Sequence, residues 1–235
     1  MNTKNQHSSL SIGSSFRVDG KIALITVASR GIGEAIARAL AGQGAHAIIS
    51  SRKGESCEHV ADSICRSGGE ASALTCNIAG IDQLSDAFEK IRMSHGRLDI
   101  NIRGYFFSIT NAVRMMPRGG SIINIASISA IVPRPQHGLY SIMKAAVISM
   151  TKVFSAECGA SGIRVNALLP GITDTRSAAA LVNGEEMLSK YLPRIPVGRV
   201  AQPNKLFGAA IYLASDASSY TTGACLTVDG GCLTT

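Results

Sequence analysis

Residues 21–34 read KIALITVASRGIGE, a short run of apolar and β-branched residues that ends in two closely spaced glycines. Such a run predicts a buried strand, and the apolar spacing that continues after Gly33 through Ala35 and Ala39 predicts a helix. Strand-like and helix-like segments alternate in the same way along the rest of the chain. This alternation predicts right-handed crossovers and therefore an α/β fold with a doubly wound parallel sheet.

The predicted elements fill one domain. The predicted strands span residues 21–26, 45–50, 70–76, 97–100, 121–126, 164–168 and 225–228. The predicted helices span residues 33–43, 55–67, 83–94, 105–115, 140–158 and 205–214. Residues 1–15 are rich in Ser, Asn and Gln and are predicted to be a disordered tail, so that residues 16–235 form a single domain.

Composition narrows the function classes. A hydrophobic content of 46% with 17% charged residues is typical of a sheet covered on both faces. The net charge of +7 is scattered along the chain, which argues against a nucleic-acid partner. No apolar run approaches the ~20 residues of a membrane span. Six cysteines without a C-x-x-C pair indicate reduced thiols, no metal site and a cytoplasmic protein.

The glycine-containing turn after the first strand is a candidate phosphate site. Glycines at a strand-to-helix turn let backbone N–H groups approach a pyrophosphate, and the amino end of the helix favours its charge. Two glycines at this spacing also fit a plain tight turn. Their position between a predicted strand and a predicted helix favours the phosphate-binding interpretation.

A second informative stretch runs from Ser121 to Lys144. The β-branched run from Ser121 to Ile125 predicts a buried strand, and Ser127 lies just past its carboxyl end, where open α/β sheets bind ligands. Tyr140 and Lys144 are four apart in a helical pattern and so share one face. An ammonium group near a phenol favours the phenolate, which makes Tyr140 a candidate proton donor and acceptor. Alone, this pair also fits an ordinary amphipathic helix.

Ser127 precedes Tyr140 by thirteen positions, and with the glycine turn this spacing resembles the active site of the short-chain dehydrogenase/reductase family. The resemblance runs from about Phe16 to Gly231. It implies a Rossmann-like fold and a metal-independent NADP(H)-dependent oxidoreductase of the carbonyl reductase type. Ser127 would hydrogen-bond the carbonyl oxygen, Tyr140 would donate the proton, and Lys144 would anchor the nicotinamide ribose.

The same resemblance implies a set of cofactor-binding residues. Dinucleotide folds that prefer NAD carry an acid after the second strand, whereas a basic residue there accommodates a 2′-phosphate. This chain has Ser51 and Arg52 at that point and a further cation at Arg30, so NADP is the expected cofactor. The implied cofactor-binding residues are Ser29, Arg30, Gly31, Ile32, Gly33, Ser51, Arg52, Asn77, Tyr140, Lys144, Pro170, Gly171, Thr173 and Thr175.

Val27 departs from the family pattern Thr-Gly-x-x-x-Gly-x-Gly, because it stands where the first glycine belongs. If that position needs a positive φ, a β-branched residue there costs on the order of 1–3 kcal/mol. Its side chain would also crowd the nucleotide.

A second departure follows Ile100. By comparison with the family, about thirty residues are absent there, far more than a typical loop of ~4–6 residues. In one outcome Asn101 begins a helix and serves as the family's catalytic asparagine, which holds a proton-relay water. In the other, residues 97–102 enter the sheet, the chain turns at Arg103 and Gly104, and the helix restarts at Tyr105. We favour the second outcome, because an empty slot in a central strand leaves ladder groups unpaired.

Two functional hypotheses follow. The first is an oxidoreductase that interconverts an alcohol with a ketone or aldehyde on a small molecule, in a homo-oligomer and without membrane attachment. The second is a catalytically impaired relative that binds a nucleotide or a protein partner. Residues 176–196 correspond to the family's variable substrate lid, and residues 133–137 would form the opposite wall, with His137 a surface residue rather than a catalyst.

Overall fold

The computed structural model describes residues 12–102, 106–116, 119–133 and 137–235. Its strands are β1 (Ile22–Thr26), β2 (His46–Ser51), β3 (Glu70–Thr75), β4 (Ile100–Ile102), β5 (Gly120–Ile125), β6 (Ile163–Pro170) and β7 (Cys225–Val228). They form one parallel sheet in the order β3-β2-β1-β4-β5-β6-β7. This order confirms the predicted doubly wound α/β fold.

Helices cover both faces of the sheet. They are α1 (Ile12–Ser15), α2 (Gly31–Gly42), α3 (Gly54–Arg66), α4 (Ile81–His95), α5 (Phe106–Arg114), α6 (Gly138–Cys158), α7 (Ala179–Val182), α8 (Glu185–Tyr191) and α9 (Phe207–Ala214). Apolar side chains of α2, α3 and α9 form the core on one face, and those of α4, α5 and α6 form the core on the other. Alternate residues of β1 supply both cores, with Ile25 on the first face and Leu24 on the second.

The central strand β4 is only three residues long. Its residues pair with Ala23 to Ile25 of β1 on one side and with Ser121 to Ile123 of β5 on the other. The chain has therefore filled the slot with residues that follow the predicted strand, as the second outcome proposed. The strand begins at Ile100 rather than at Arg97, because the carboxylate of Asp99 accepts the N–H of Ile22 at 2.8 Å and also pairs with Arg97. The expected turn and restart at residues 103–105 lie outside the described residues.

Most predicted element boundaries differ from the structure by one or two residues. The last predicted helix begins as a tight 3₁₀ turn at Pro203–Leu206 before it becomes α9. The region expected as a lid contains α7 and α8, which the sequence did not predict. Of the predicted tail, the last four residues form α1, and residues 1–11 lie outside the described residues. No helix in the described ranges is both long and apolar enough to cross a bilayer.

Candidate active site

The candidate site is a cavity of about 730 Å³ at the carboxyl edge of the sheet, where β5 and β6 end. It lies between the first turns of α6 and the segment that follows β6, because parallel strands direct both connections to this edge. The cavity brings together eight of the residues proposed from the sequence. They are Ile32, Ser127, Tyr140, Lys144, Pro170, Gly171, Thr173 and Thr175.

The three proposed reacting side chains face this cavity. Tyr140, in the first turn of α6, is 42% exposed. The Nζ of Lys144 lies 5.7 Å from the centre of the Tyr140 ring and donates a hydrogen bond to the carbonyl oxygen of Ile125 at 2.7 Å. The Oγ of Ser127 accepts the N–H of Ser129 at 3.2 Å, which fixes its position at the end of β5. A phenol, an ammonium and a hydroxyl therefore share one water-accessible space.

The glycine turn between β1 and α2 has the geometry of a phosphate cradle. Gly31 has a φ of +63°, and a Cβ atom on Gly33 would lie 2.6 Å from the carbonyl oxygen of Val27. Arg30 precedes α2, is exposed, and makes no side-chain cap, so its side chain does not satisfy the first amides of the helix. Gly31 is required for its positive φ and Gly33 for the space beside the Val27 carbonyl, so this turn remains the candidate phosphate site.

Val27 has a φ of +55° and is the sole residue other than glycine with a positive φ in the described part of the chain. The left-handed region is unfavourable for a β-branched side chain, so the strain expected from the sequence is present. The side chain is 39% exposed at the turn. It therefore lies in contact with solvent beside the proposed phosphate site.

The residues expected around the adenosine end lie outside the cavity, beyond the ends of β2 and β3. Ser51 ends β2, and its Oγ lies 3.1 Å from the Sγ of Cys57 and accepts the N–H of Lys53 at 3.3 Å. Arg52 follows with its side chain in solvent. Asn77 accepts the N–H of Ala79 through its Oδ1 at 3.2 Å, which orders the turn after β3.

The segment after β6 forms the wall opposite Tyr140. The N–H of Gly171 donates to the carbonyl oxygen of Val228 at 2.9 Å, and a Cβ atom on Gly171 would lie 2.6 Å from the Cα of Asp229. Thr173 pairs with Ala201 in an isolated bridge. The Thr175 side chain lies within 4 Å of the position that a Cβ on Gly31 would occupy, so this segment and the glycine turn meet at the cavity mouth.

Asn101 is not among the residues that line the cavity, and it lies in β4, as the second outcome for this segment expects. It is fully buried in β4, where its Nδ2 donates to the Oγ of Ser108 at 3.2 Å and approaches the carbonyl oxygen of the same residue at 3.4 Å. Its Oδ1 has no hydrogen-bond partner. In the register of the sheet Asn101 lies beside Ile122, three residues before Ile125, whose carbonyl holds Lys144. The residue therefore links β4 to α5.

Sequence reasoning missed part of the cavity wall. Ile128, Ser129, Ile172, Ser177, Ala178 and Leu181 also line the cavity. The sequence indicated these residues only through their position in segments that were expected near the substrate. His137 and Tyr191, which were assigned to the walls, do line the cavity. Residues 134–136 of the expected wall lie outside the described residues, as do the side chains of residues 186–188.

Another cavity, of about 650 Å³, lies at the opposite edge of the sheet. Its charged groups already have partners: Lys21 pairs with Asp216 at 2.9 Å, and Arg164 donates to the Oγ of Ser218 at 2.6 Å. It contains none of the residues proposed for chemistry. The candidate site is therefore the cavity at the carboxyl edge.

Comparison with known proteins agrees with this site. Residues 21–100 match the family described as short chain dehydrogenase, and residues 98–233 match the family described as Enoyl-(Acyl carrier protein) reductase. A 2,5-dichloro-2,5-cyclohexadiene-1,4-diol dehydrogenase of Sphingobium indicum is 33% identical over 249 aligned positions, which cover 91% of this chain and 97% of the relative. The chain belongs to the short-chain dehydrogenase/reductase family. The resemblance inferred from Ser127, Tyr140 and Lys144 is thereby confirmed.

Other relatives of this short-chain dehydrogenase act on polyols and sugar acids. A gluconate 5-dehydrogenase of Gluconobacter oxydans is 33% identical, with 92% of this chain and 96% of the relative covered. Among solved structures, a gluconate 5-dehydrogenase from Burkholderia cenocepacia, in complex with NADP and tartrate, aligns with a TM-score of 0.88 at 31% identity. That alignment covers 94% of this chain and 98% of the neighbour.

Proposed function

We propose that this short-chain dehydrogenase is an NADP(H)-dependent oxidoreductase that interconverts an alcohol with a ketone or aldehyde on a small molecule. The observation that carries the proposal is the exposure of Tyr140 in the cavity at the carboxyl edge of the sheet, one helical turn from Lys144. Ser127 faces the same space. Together they form a proton donor, a neighbouring cation and a hydrogen-bond donor.

The chain's own residues move and hold the proton. In reduction, the Oη of Tyr140 gives its proton to the carbonyl oxygen, and the Ser127 hydroxyl donates a hydrogen bond to the same oxygen. The ammonium of Lys144 stabilises the phenolate that remains. A bound nicotinamide cofactor supplies the hydride in this direction and accepts it in the other. The products are the alcohol and the oxidised cofactor, and Tyr140 regains its proton from water.

The cofactor would lie across the carboxyl edge of the sheet. The glycine turn would hold its pyrophosphate, Ser51 and Arg52 its 2′-phosphate, Asn77 its adenine, Lys144 its ribose and the segment after β6 its carboxamide. Two exposed cations and a hydroxyl, with no acid among residues 51–54 at the carboxyl end of β2, support NADP over NAD. Solved relatives with bound NADP add support, although a 7α-hydroxysteroid dehydrogenase neighbour carries NADH.

A catalytically impaired relative that binds a nucleotide or a protein partner is the second candidate. The strained Val27 is the observation that favours it, because this residue stands at the cradle. The open cavity with Tyr140, Lys144 and Ser127 favours the enzyme. Turnover decides between them.

The deciding experiment combines cofactor titration with a panel of small ketones and aldehydes, while NADPH oxidation is followed. We expect saturable NADPH binding and turnover. Tyr140→Phe should lower kcat by about 10²–10⁴-fold and leave the Kd for NADPH unchanged, because only proton transfer is removed. Tyr220→Phe, a fully exposed tyrosine away from the cavity, is the matched control. Binding without turnover in the wild type would support the second candidate.

The cofactor preference has its own test. Arg52→Ala should weaken NADPH binding by about 10–100-fold and leave NADH binding unchanged, because a charge-assisted hydrogen bond contributes about 1.5–3 kcal/mol. Arg66→Ala, at the far end of α3, removes the same charge from an exposed site. Equal loss of both cofactors in Arg52→Ala would contradict the assignment.

We also propose a homo-oligomer. The exposed large apolar side chains cluster on α5 and α6, where Phe106 is 55% and Ile142 is 68% exposed. Such side chains in contact with water favour association. Sedimentation velocity should give a species larger than one chain, and a monomer at micromolar concentration would contradict this proposal.

A further inference from the structure

One ionisable side chain of the cavity has no part in the chemistry proposed above. His137 lines the cavity, is exposed, and precedes the first residue of α6. Its carbonyl oxygen accepts the N–H of Ser141 at 2.9 Å, which ties it to the first helical turn. It lies three residues before Tyr140, just ahead of the first turn of α6, and both residues line the cavity. The imidazole is therefore held near the proposed proton donor.

The described part of the cavity lining carries basic side chains rather than carboxylates. Lys144 and His137 are basic, and no Asp or Glu occurs among the cavity residues that the structure describes. Lys144 is engaged by the carbonyl oxygen of Ile125 at the inner wall. A substrate group beyond the reacting carbon would therefore meet an imidazole on the outer wall. An imidazole N–H donates a hydrogen bond to oxygen, and it binds a carboxylate more strongly when protonated.

The apolar part of the cavity wall discriminates little between substrates. Ile128, Ile172 and Leu181 are apolar and accept an alkyl chain of almost any shape. A hydrophobic wall distinguishes one methylene by only about 10–200-fold, whereas a polar group left without its partner penalises the wrong substrate strongly. Side chains with a hydroxyl group also line the cavity, namely Ser129, Thr173, Thr175, Ser177 and Tyr191. The Thr173 hydroxyl donates to the carbonyl oxygen of Gly171, and the Thr175 hydroxyl is hydrogen-bonded to Ser177. Among the described cavity residues other than Lys144, His137 has the basic side chain, which favours binding of an oxygen-bearing group.

We propose that His137 is a specificity-determining residue that binds a second oxygen atom of the substrate, in a hydroxyl or a carboxylate. The enzyme would then select carbonyl compounds that carry another oxygen group a few bonds from the reacting carbon. This inference rests on the proposed function, since it places the carbonyl at Tyr140. His137 does not touch the reacting atoms and takes no part in proton transfer.

The test uses three matched ketones: 2-pentanone, 5-hydroxy-2-pentanone and 4-oxopentanoate. The wild type should favour one or both oxygen-bearing compounds in kcat/KM. His137→Ala should raise KM for the favoured compound by about 3–10-fold, the value of one hydrogen bond, with kcat retained. The same variant should leave 2-pentanone unchanged. His137→Gln, which keeps a donor, should restore most of the loss, and exposed His59→Ala on α3 is the control.

This set of ketones distinguishes a substrate hydroxyl from a substrate carboxylate as the group bound by His137. A loss confined to 4-oxopentanoate assigns a carboxylate, and a loss confined to 5-hydroxy-2-pentanone assigns a hydroxyl. A wild type without preference overturns the inference, as does an equal loss with 2-pentanone or failure of the glutamine variant to rescue. If no ketone is turned over, calorimetric binding of the three compounds to the NADP⁺ complex replaces kinetics. Binding that depends on His137 would then support the inference while the proposed function fails.

Discussion

The backbone of Val27 is strained. Its φ of +55° lies in the left-handed region, where a side chain branched at Cβ is sterically unfavourable. Val27 also borders the turn that is proposed to hold phosphate. The carbonyl oxygen of Val27 also lies against Gly33, so the backbone has little freedom to relax. The strain is therefore borne by the folded protein.

We expect Val27→Gly to raise the free energy of unfolding by about 1 kcal/mol. Relief of about 1–3 kcal/mol of strain exceeds the 0.5–1 kcal/mol that added chain freedom costs. Urea unfolding measures this change, and NADPH titration should give a lower Kd because the side chain no longer lies beside the proposed phosphate site. Val197→Gly, at an exposed valine with an ordinary φ, should not stabilise. A destabilised Val27→Gly variant would show that the valine is not strained.

At the scale of elements, β4 is where the sequence was least decisive. The period-two pattern of Leu98, Ile100 and Ile102 predicted a strand, yet in the other outcome a helix begins at Asn101. The structure resolves this because the slot between β1 and β5 needs hydrogen-bond partners on both sides. Asn101 follows the strand into the core and binds Ser108 of α5.

Replacement of Asn101 tests whether this residue contributes to stability or to catalysis. Asn101→Ala should lower the free energy of unfolding by about 1–3 kcal/mol, because the Ser108 hydroxyl loses its partner in the core. The kcat of the folded enzyme should change less than two-fold, whereas a role in proton transfer would cost about 10²–10⁴-fold. Urea unfolding and initial rates on one preparation measure both. Asn111→Ala, which removes a half-buried side-chain amide from α5, is the control.

Local pattern was sufficient for most elements and for one half of the site. Strands with alternating or continuous apolar residues were located within a few residues, since burial on the sheet dictates those residue types. Ser127, Tyr140 and Lys144 were found because fixed spacing places them on neighbouring elements. The carbonyl of Ile125 that holds Lys144 could not be found, because every residue has a carbonyl and only the fold selects one. Likewise α7 and α8 lack a long periodic pattern.

The stability of the whole molecule should depend on pH through His46, at the edge of the sheet opposite the candidate site. Burial, with a smaller contribution from His95 at a ring distance of 4.7 Å, holds the pKa of His46 below its ordinary value of 6.5, and Glu70 opposes this. The unfolded chain therefore binds a proton at a pH where the folded protein does not. Stability should fall as the pH drops through about 6.5 and level off below the folded pKa.

Urea midpoints measured between pH 8 and pH 5 test this dependence. His46→Gln, which retains a side-chain partner for Ser72, should flatten the decline, while the exposed His59→Gln should not. An unchanged slope in His46→Gln would assign the acid sensitivity to other groups. The prediction concerns folding, because His46 begins β2 far from the cavity.

The brevity of β4 sets how the two halves of the molecule are coupled. Three residue pairs join β4 to each neighbour, against five between β1 and β2 and six between β5 and β6. The part of the sheet that carries the glycine turn is thus joined to the part that carries Tyr140 through β4, which is three residues long. Local opening is favoured where few residue pairs hold neighbouring strands together, so we expect the spacing between the glycine turn and Tyr140 to depend on these three residues in the middle of the chain.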